Sequence, residues 1–409
     1  MTDPWRAGIA GLEALGLSHL GVAVSGGGDS MALLAMARDW RDAQSGRALS
    51  AATVDHGLRA EARAEAETVA ALCAQWSIPH DILTWQDRPK GNLQNAARQA
   101  RRRLLSDWGR ARAVPVICLA HTRDDVAETF LLRLARGSGV DGLARMAARF
   151  EVAGQPFARP LLDHARADLR DALTRRGIAW IDDPSNDDPT FDRVNMRRAL
   201  SLLDEVGISA DQIAATATRL SSTRHFLSTE AMRQAATLLS MDRYGTISID
   251  RAAFLTCHAE VQARILARLF EGLSDDAYPP RRAALDRVIG LIAAGQGRET
   301  LAGYVVTVGG DSVTLLRERA RLPQPHPYAD GVIWDGRWRI AGALGQGAIL
   351  RPTTESDLKP HALPSAQKAA LLTAPALDIG TNQPILPALE PAHGVDATLV
   401  PRLHDLISR

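Results

Sequence analysis

Between residues 20 and 180 the chain alternates short apolar runs with longer stretches rich in Ala, Leu and Arg. The runs LGVAV, LSAATV, HDILTW and VPVICLA have the length of strands, and the stretches between them have helical composition. Strand and helix in strict alternation predict an α/β fold with a doubly wound parallel sheet. Trp180-Ile181-Asp182 reads as a further strand running into a turn. After the turn-rich segment DDPSNDDPTFDR the pattern becomes helical, with helices expected over 209–227, 229–239, 251–271 and 281–294, the last two separated by SDDAYPP. Beyond these, LAGYVVTV-GGDS-VTLL and GVIW-DG-RWRI read as β-hairpins on Gly-Gly and Asp-Gly turns, and a Pro-rich tail of weak pattern follows. The expected domains are an α/β domain over 1–198, a helical domain over 199–295 and a small β-containing domain over 296–409. On that division a chain ending near Gly295 should still fold.

At 409 residues there is ample length for two or three cored domains. A net charge of +1 and a pI near 7.9 select no class of partner. Lysine occurs only at 90, 359 and 368, so almost all positive charge is arginine. Its distribution says more than its total: residues 97–150 carry 11 Arg against 5 acidic residues, which is either a phosphate-facing surface or a solvated helix face. Cys73, Cys118 and Cys257 form no CxxC pair, so neither a metal cluster nor a disulfide framework is expected. No basic-then-apolar leader and no apolar run of membrane-spanning length occurs, which predicts a soluble, cytoplasmic chain.

The densest chemical signal is Ser25-Gly26-Gly27-Gly28-Asp29-Ser30, placed between the first apolar run and the helical stretch MALLAMARDW. Consecutive glycines let a phosphate approach the backbone, and the N–H groups and dipole of a helix start favour an anion. The loop lacks the lysine of a Walker A motif and the spacing of a dinucleotide fingerprint. Ligands of doubly wound sheets sit beyond the carboxyl ends of the strands. Two further segments obey this rule, Asp55-His56-Gly57-Leu58-Arg59 after the second run and His121 to Glu128 after the fourth. Asp125 and Glu128 are three apart at a helix start and share a face, which suits either a cationic ligand or helix capping. Arg98 and Arg101 share a face in the same way, either as a phosphate clamp or as a salt-bridged surface. Gly137 and Gly139 sit in Arg-Gly-Ser-Gly, a loop for close ligand approach or a helix C-cap.

SGGGDS resembles the pyrophosphate loop of the PP-loop ATP pyrophosphatases. Together with VDHGLR, Ala-Arg98-x-x-Arg101, HTRDDVAET, RGSGVDGL, RPLL and WIDDPSN, in that order, the chain is similar to the tRNA(Ile)-lysidine synthases over about residues 21–200. It departs from their pattern at Arg102, where an aromatic is usual, and at Val194, where an Asn is usual, so no role passes to Val194. The resemblance implies a carbon–nitrogen ligase that uses ATP, with Mg²⁺, to join L-lysine to the wobble cytidine of the CAU-anticodon isoleucine tRNA. ATP would contact Ser25, Gly26, Gly27, Gly28, Asp29, Ser30, Asp55, His56, Arg98, Gly137 and Gly139, with Asp29 near Mg²⁺. Asp125 and Glu128 would hold the lysine, and His121 or one of these acids would take its proton. Arg98, Arg101 and Arg193 would face the α-phosphate or the anticodon backbone, and the middle domain would bind tRNA as a monomer or a homodimer. The alternative within the superfamily is another tRNA-modifying enzyme, such as a 2-thiocytidine-type thiolase.

Overall fold

The computed structural model describes residues 3–57, 61–86, 93–182, 192–274, 280–344, 347–381, 383–390 and 394–400. Leu58, Arg59 and residues 183–186 of the motifs above lie outside these. The chain divides into two compact units, 1–224 and 225–409.

The first unit runs α1 (Pro4–Glu13), β1 (His19–Ala23), α2 (Gly28–Asp42), β2 (Ala48–Asp55), α3 (Ala62–Gln75), β3 (His80–Thr84), α4 (Leu93–Ala111), β4 (Ile117–Cys118), α5 (Arg123–Leu134), α6 (Val140–Leu143), β5 (Arg149–Val152), β6 (Gln155–Ala158), α7 (Arg166–Arg175) and α8 (Asp192–Glu205). Its sheet has the order β3-β2-β1-β4-β6-β5, parallel throughout except for β5, which pairs antiparallel with β6. The four apolar runs are the four adjacent parallel strands β3, β2, β1 and β4, with β3 at the edge of the sheet. Trp180-Ile181-Asp182 is not a strand: Ile181 N donates to Gly26 O at 2.9 Å, so this segment braces the glycine loop instead of joining the sheet.

Side chains alternate across β1 as a pleated strand requires. Leu20, Val22 and Val24 face a core with Trp5, Leu33, Met36, Trp40, Val69, Cys73, Leu169 and Leu173, contributed by α1, α2, α3 and α7. Ala23 faces the opposite core, where Leu105 and Trp108 of α4 meet Ile117 and Phe157. Gly21 points the same way, and a Cβ there would lie 2.7 Å from Val114 Cγ1 and 3.1 Å from the Trp108 ring. The tryptophan therefore needs glycine beneath it. The strand order reverses between β1 and β4, so the carboxyl ends of these two strands open the crevice at which such sheets bind ligands.

A helix α9 (Ala210–Leu238) contributes Ala214 and Ala217 to a cluster with Val126 and Leu162 in the first unit, and Ala231, Ala235 and Leu238 to the core of the second. The second unit holds β7 (Leu239–Met241), β8 (Ile247–Asp250), α10 (Arg251–Thr256), α11 (Ala259–Leu273), α12 (Arg282–Ala294), β9 (Gln296–Leu301), β10 (Tyr304–Gly309) and β11 (Ser312–Arg317). These strands form an antiparallel sheet of order β7-β8-β11-β10-β9. Here 209–227 and 229–239 prove to be one helix followed by a strand, and 251–271 is broken at Cys257-His258. The boundary expected at 295/296 falls inside the sheet, because β8 pairs with β11 from Asp250↔Ser312 to Ile247↔Leu315. A chain ending near Gly295 would lose Tyr304, Val306, Val308, Val313 and Leu315 from the core that Phe254, Leu266 and Phe270 complete. Such a truncation should therefore not fold as expected from the sequence alone.

Two three-stranded sheets, with short helices over Glu355–Leu358 and Ser365–Leu371, follow among the described residues. The first consists of His326–Pro327, Ile349–Pro352 and Pro375–Asp378, and the second of Val332–Trp334, Trp338–Ala341 and Asp396–Leu399. The Asp-Gly turn is present, with Asp335 and Gly336 at φ of 51° and 65°. Asp335 is also the centre of a buried ion triad: Oδ1 takes Arg317 Nη2 at 3.0 Å and Oδ2 takes Arg337 Nε at 2.7 Å, with side-chain exposures of 3%, 7% and 8%. Asp335→Asn keeps a residue tolerant of positive φ and removes the charge both arginines need. We expect a loss of about 3–5 kcal/mol in urea unfolding, the cost of removing the shared anion from a buried ion triad. A loss below about 1 kcal/mol would show that water already reaches the triad.

Candidate active site

The loop after β1 is held by its own hydroxyls. Ser30 Oγ accepts from Ser25 N at 3.1 Å and from Ser25 Oγ at 3.2 Å, and donates to Gly27 O at 2.9 Å. Ser30 is 6% exposed, with its hydroxyl engaged within the loop, and it also lines the cavity at the start of α2. Gly26 has φ +85°, and a Cβ there would come within 2.9 Å of Ile181 Cδ1. Glycine is therefore required at Gly26 both by conformation and by the packing of Ile181. Gly27 caps α2, whose first turn directs backbone N–H groups into a cavity of about 160 Å³ walled by Ser25, Asp29, Arg166, Arg170 and Arg197.

Asp29, in that first turn, meets the acids of α5 through one guanidinium. Arg166 Nε donates to Asp29 Oδ2 at 3.0 Å, Nη1 to Glu128 Oε1 at 3.0 Å, and Nη2 lies 3.4 Å from Asp125 Oδ1. Arg197 Nε also reaches Glu128 Oε1, at 2.8 Å, and Arg193 Nη1 lies 3.9 Å from Asp125 Oδ1. Burial opposes the charge on Arg166, but Asp125, Glu128 and Asp29 outweigh it and hold the guanidinium above its usual range. Burial would likewise raise Asp125, but Arg166, then His121 and the Thr122 N–H, bring it below the usual carboxylate range. For Asp29 burial wins over Arg166 and the carboxyl is raised.

Asp125 and Glu128 do share a face, yet their oxygens are engaged differently. Asp125 Oδ2 closes a capping box on Thr122, accepting from its N at 2.8 Å and its Oγ1 at 2.9 Å, while Oδ1 faces Arg166 and Arg193. Glu128 is 1% exposed and its Oε2 has no hydrogen-bond partner, as is true of Asp29 Oδ1. These two buried carboxylate oxygens around one guanidinium are acceptors suited to a cationic ligand. Asp124 Oδ2 accepts from Arg166 N at 2.8 Å and so caps α7 from another helix.

Arginines gather in a second cavity of about 260 Å³, where Arg98, Arg101 and Arg102 of α4 meet Arg159 and Arg193, with His56, His121 and Phe150. Burial, then Arg102 and Arg98, lowers Arg159 to about 10, which leaves it charged. Arg159 Nε donates to His121 Nδ1 at 3.3 Å. The His121 ring is pushed down to about 3, by burial first, with Arg159, Arg101 and Arg193 adding to it against Asp125. His121 is thus neutral with its proton on Nε2, which makes it a hydrogen-bond donor to a ligand and not a base. A ¹⁵N-detected titration should show this ring neutral through the range in which exposed histidines titrate.

Asp55 sits at the end of β2 with Oδ1 accepting from Gly57 N at 2.7 Å, a turn that presents His56 to the arginine cavity. Gly137 and Gly139 line neither cavity. Gly137, at φ +68°, follows the end of α5 with its N–H on Leu134 O, the C-cap alternative left open above, whereas Gly139 is the N-cap of α6. Arg159, Arg166 and Arg197 carried no assigned role in the sequence. Arg166 did leave a signal, since a cation at the first position of a helix opposes the dipole and needs acids to hold it.

A family model described as PP-loop domain matches residues 9–203. The tRNA(Ile)-lysidine synthase of Ruegeria pomeroyi is 37% identical over 93% of this chain and 91% of its own length. The chain belongs to the tRNA(Ile)-lysidine synthase family. The corresponding protein of Rhodopseudomonas palustris is 39% identical over 72% of this chain and 89% of its own. Among solved structures, the U34-tRNA thiolase NcsA from Methanococcus maripaludis aligns with a TM-score of 0.47 at 15% identity, covering 54% of this chain and 78% of that one. No helix among the described residues is long and apolar enough to cross a membrane.

Proposed function

We propose that this chain ligates L-lysine to carbon 2 of the wobble cytidine in the CAU-anticodon isoleucine tRNA, using ATP in the cytoplasm. What supports the reading most within the site is that a phosphate loop and two buried, unpaired carboxylate oxygens meet across Arg166. The cytidine O2 attacks the α-phosphorus of ATP and pyrophosphate leaves, so that a poor leaving group becomes AMP. The ε-amine of lysine then attacks carbon 2, the bond to the adenylate oxygen breaks, and the amine loses its proton. Backbone N–H groups of the loop and the arginines of the cavity wall stabilise the charge that builds on the departing pyrophosphate. The arginine cavity holds phosphate of the nucleotide or of an anticodon splayed from its stack.

Asp29 is the residue that would hold Mg²⁺. Its buried Oδ1 is a hard, unpaired oxygen, and no group of three or more His, Cys, Asp or Glu among the described residues is arranged to hold a metal. That donor set fits an ion taking most of its ligands from water and phosphate. When bound, Mg²⁺ supplies charge neutralisation of the phosphates.

Of the proton acceptors left open by the sequence, His121 is disfavoured by its protonated Nε2, and Asp125 is engaged by its cap. Glu128 Oε2 remains, both to bind the ammonium and to take its proton. Glu128→Gln should raise the KM for lysine by about 10²-fold while tRNA-dependent adenylate formation persists. Loss of adenylation at unchanged lysine KM would assign Glu128 to the phosphate side instead. The second unit carries none of these residues and is read as the part that selects the tRNA body. The overall reading is tested by incubating the protein with ATP, radiolabelled lysine and transcripts of the CAU isoleucine and methionine tRNAs. Label should enter the isoleucine transcript alone, with stoichiometric AMP and pyrophosphate, and label in neither transcript would refute it.

A further inference from the structure

Three arginines stand in the wall of the cavity at the glycine loop, and they are not equivalent. Arg166 is tied to Asp29, Asp125 and Glu128, and Arg197 Nε donates at 2.8 Å to Glu128, a carboxylate that is 1% exposed. Arg170 follows Arg166 by four residues and so stands one turn further along the same face of α7, whose Leu169 and Leu173 share a core with Leu33 and Met36 of α2. Its contacts are looser. Nη2 lies 3.3 Å from Asp182 Oδ1, an oxygen that also accepts from Trp180 Nε1 at 3.2 Å, and the guanidinium carbon stands 5.9 Å from the centre of the Trp180 ring. The two side chains of this ion pair are 42% and 69% exposed, and pairs so open to water contribute little. Arg170 Nε, by contrast, is buried and has no hydrogen-bond partner among the described residues.

Gly28 explains where that nitrogen lies. Unlike Gly26, it does not have a positive φ, so conformation does not require glycine there. A Cβ at Gly28 would stand 3.2 Å from Arg170 Cγ and 3.3 Å from Arg170 Nε, closer than ordinary van der Waals contact. The absence of a side chain therefore lets the guanidinium lie over the first turn of α2, where a cation meets the positive end of the helix dipole. Two positive features that face one cavity repel each other and share an attraction for a polyanion.

We propose that Arg170 holds the β- and γ-phosphates of ATP and stays with the pyrophosphate as it leaves, exchanging its exposed contact with Asp182 for phosphate oxygens. The proposal rests on this cavity being the phosphate site and adds which arginine serves it. Arg166 and Arg197 are engaged by buried carboxylates, whereas Arg170 gives up only a solvent-exposed pair. A planar guanidinium meets two phosphate oxygens at once, and negative charge builds on the leaving group as its bond to the α-phosphorus breaks. Because it touches the leaving group, Arg170 is a catalytic residue, and Asp182 is the group that holds it in reserve.

The test is inhibition of tRNA-dependent AMP formation by added inorganic pyrophosphate, measured on the full chain with Mg²⁺ for wild type, Arg170→Gln and Asp182→Asn. Arg170→Gln should raise the inhibition constant of pyrophosphate about tenfold and lower kcat by about as much, with the KM for lysine and for tRNA unmoved. Asp182→Asn should leave that constant unchanged or lower it, because the competitor for the guanidinium is gone. If Arg170 only braces Trp180 and Asp182 against the loop, the two variants break one contact and raise the constant alike, which would overturn the proposal. An unmoved constant in Arg170→Gln would overturn it as well, and a shift confined to the KM for tRNA would do so by placing the guanidinium on the tRNA backbone. Absence of AMP formation by the wild-type chain would overturn the phosphate-site reading and the proposal together.

Discussion

Asp29→Asn should reduce tRNA-dependent pyrophosphate release by about 10²–10³-fold while the protein remains folded. The loop is shaped by the Ser25 and Ser30 hydroxyls and by Gly26 against Ile181, and none of these contacts uses the Asp29 carboxylate. Asparagine keeps the side-chain shape and one hydrogen bond's worth of acceptor for Arg166, but loses the charge beside the phosphates. The pH profile provides a second check. Burial raises the Asp29 carboxyl above its ordinary range despite Arg166, so its ionised form, and with it the wild-type rate, is lost on acidification earlier than for an exposed aspartate. That acid limb should vanish in Asp29→Asn. A variant with near wild-type rate, or one that keeps the same limb, would remove Asp29 from the chemistry.

What the sequence disclosed about this site, and what it hid, follows from the range of the interactions. The glycine loop and the spacing of Asp125 to Glu128 are local features, and both appear where strand and helix patterning puts them. Arg166 binds Asp29 and Glu128 at separations of 137 and 38 residues, and no local pattern carries such a pairing. Conversely, the engagement of Asp125 in a capping box with Thr122 is local, and helix capping was the alternative visible for this acid. The same logic explains the fold. Ser228 falls between the helices expected over 209–227 and 229–239, but it is 9% exposed inside α9 and accepts from Arg264 Nη1 at 3.2 Å, so a distant arginine satisfies its hydroxyl. The break at Cys257-His258 was missed because histidine is an uncommon cap, and here its side chain accepts from Glu260 N. The β5–β6 hairpin turns on Ala153 and Gly154 at φ of 50° and 78°, a turn whose alanine gives no warning of positive φ.

Arg166→Met should both unfold more easily and fail in both half-reactions, which separates it from Glu128→Gln, where only the lysine step is expected to fail. The guanidinium is the shared counter-ion of Asp29, Asp125 and Glu128, and methionine fills much of its volume without charge. Leaving buried carboxylates without their cation should cost about 3–5 kcal/mol at neutral pH, reduced by whatever Arg193 and Arg197 still supply. The pH dependence fixes the cause. With Arg166 gone, the folded-state pKa of the trapped carboxylates rises above the unfolded value, so the folded state binds protons more tightly, and stability falls as pH rises between the two values. The gap between wild type and variant should therefore be widest at neutral pH and narrow on acidification, as a proton takes the place of the guanidinium. Urea unfolding across that range measures it directly. A gap independent of pH would mean that Arg166 acts through packing and not through charge. Arg166→Lys decides what the charge alone can do: an ammonium is a single point and lacks the planar fork that reaches three carboxylates from one residue. Stability should recover in part while adenylation stays low, because the fork also sets where Asp29 stands relative to the loop.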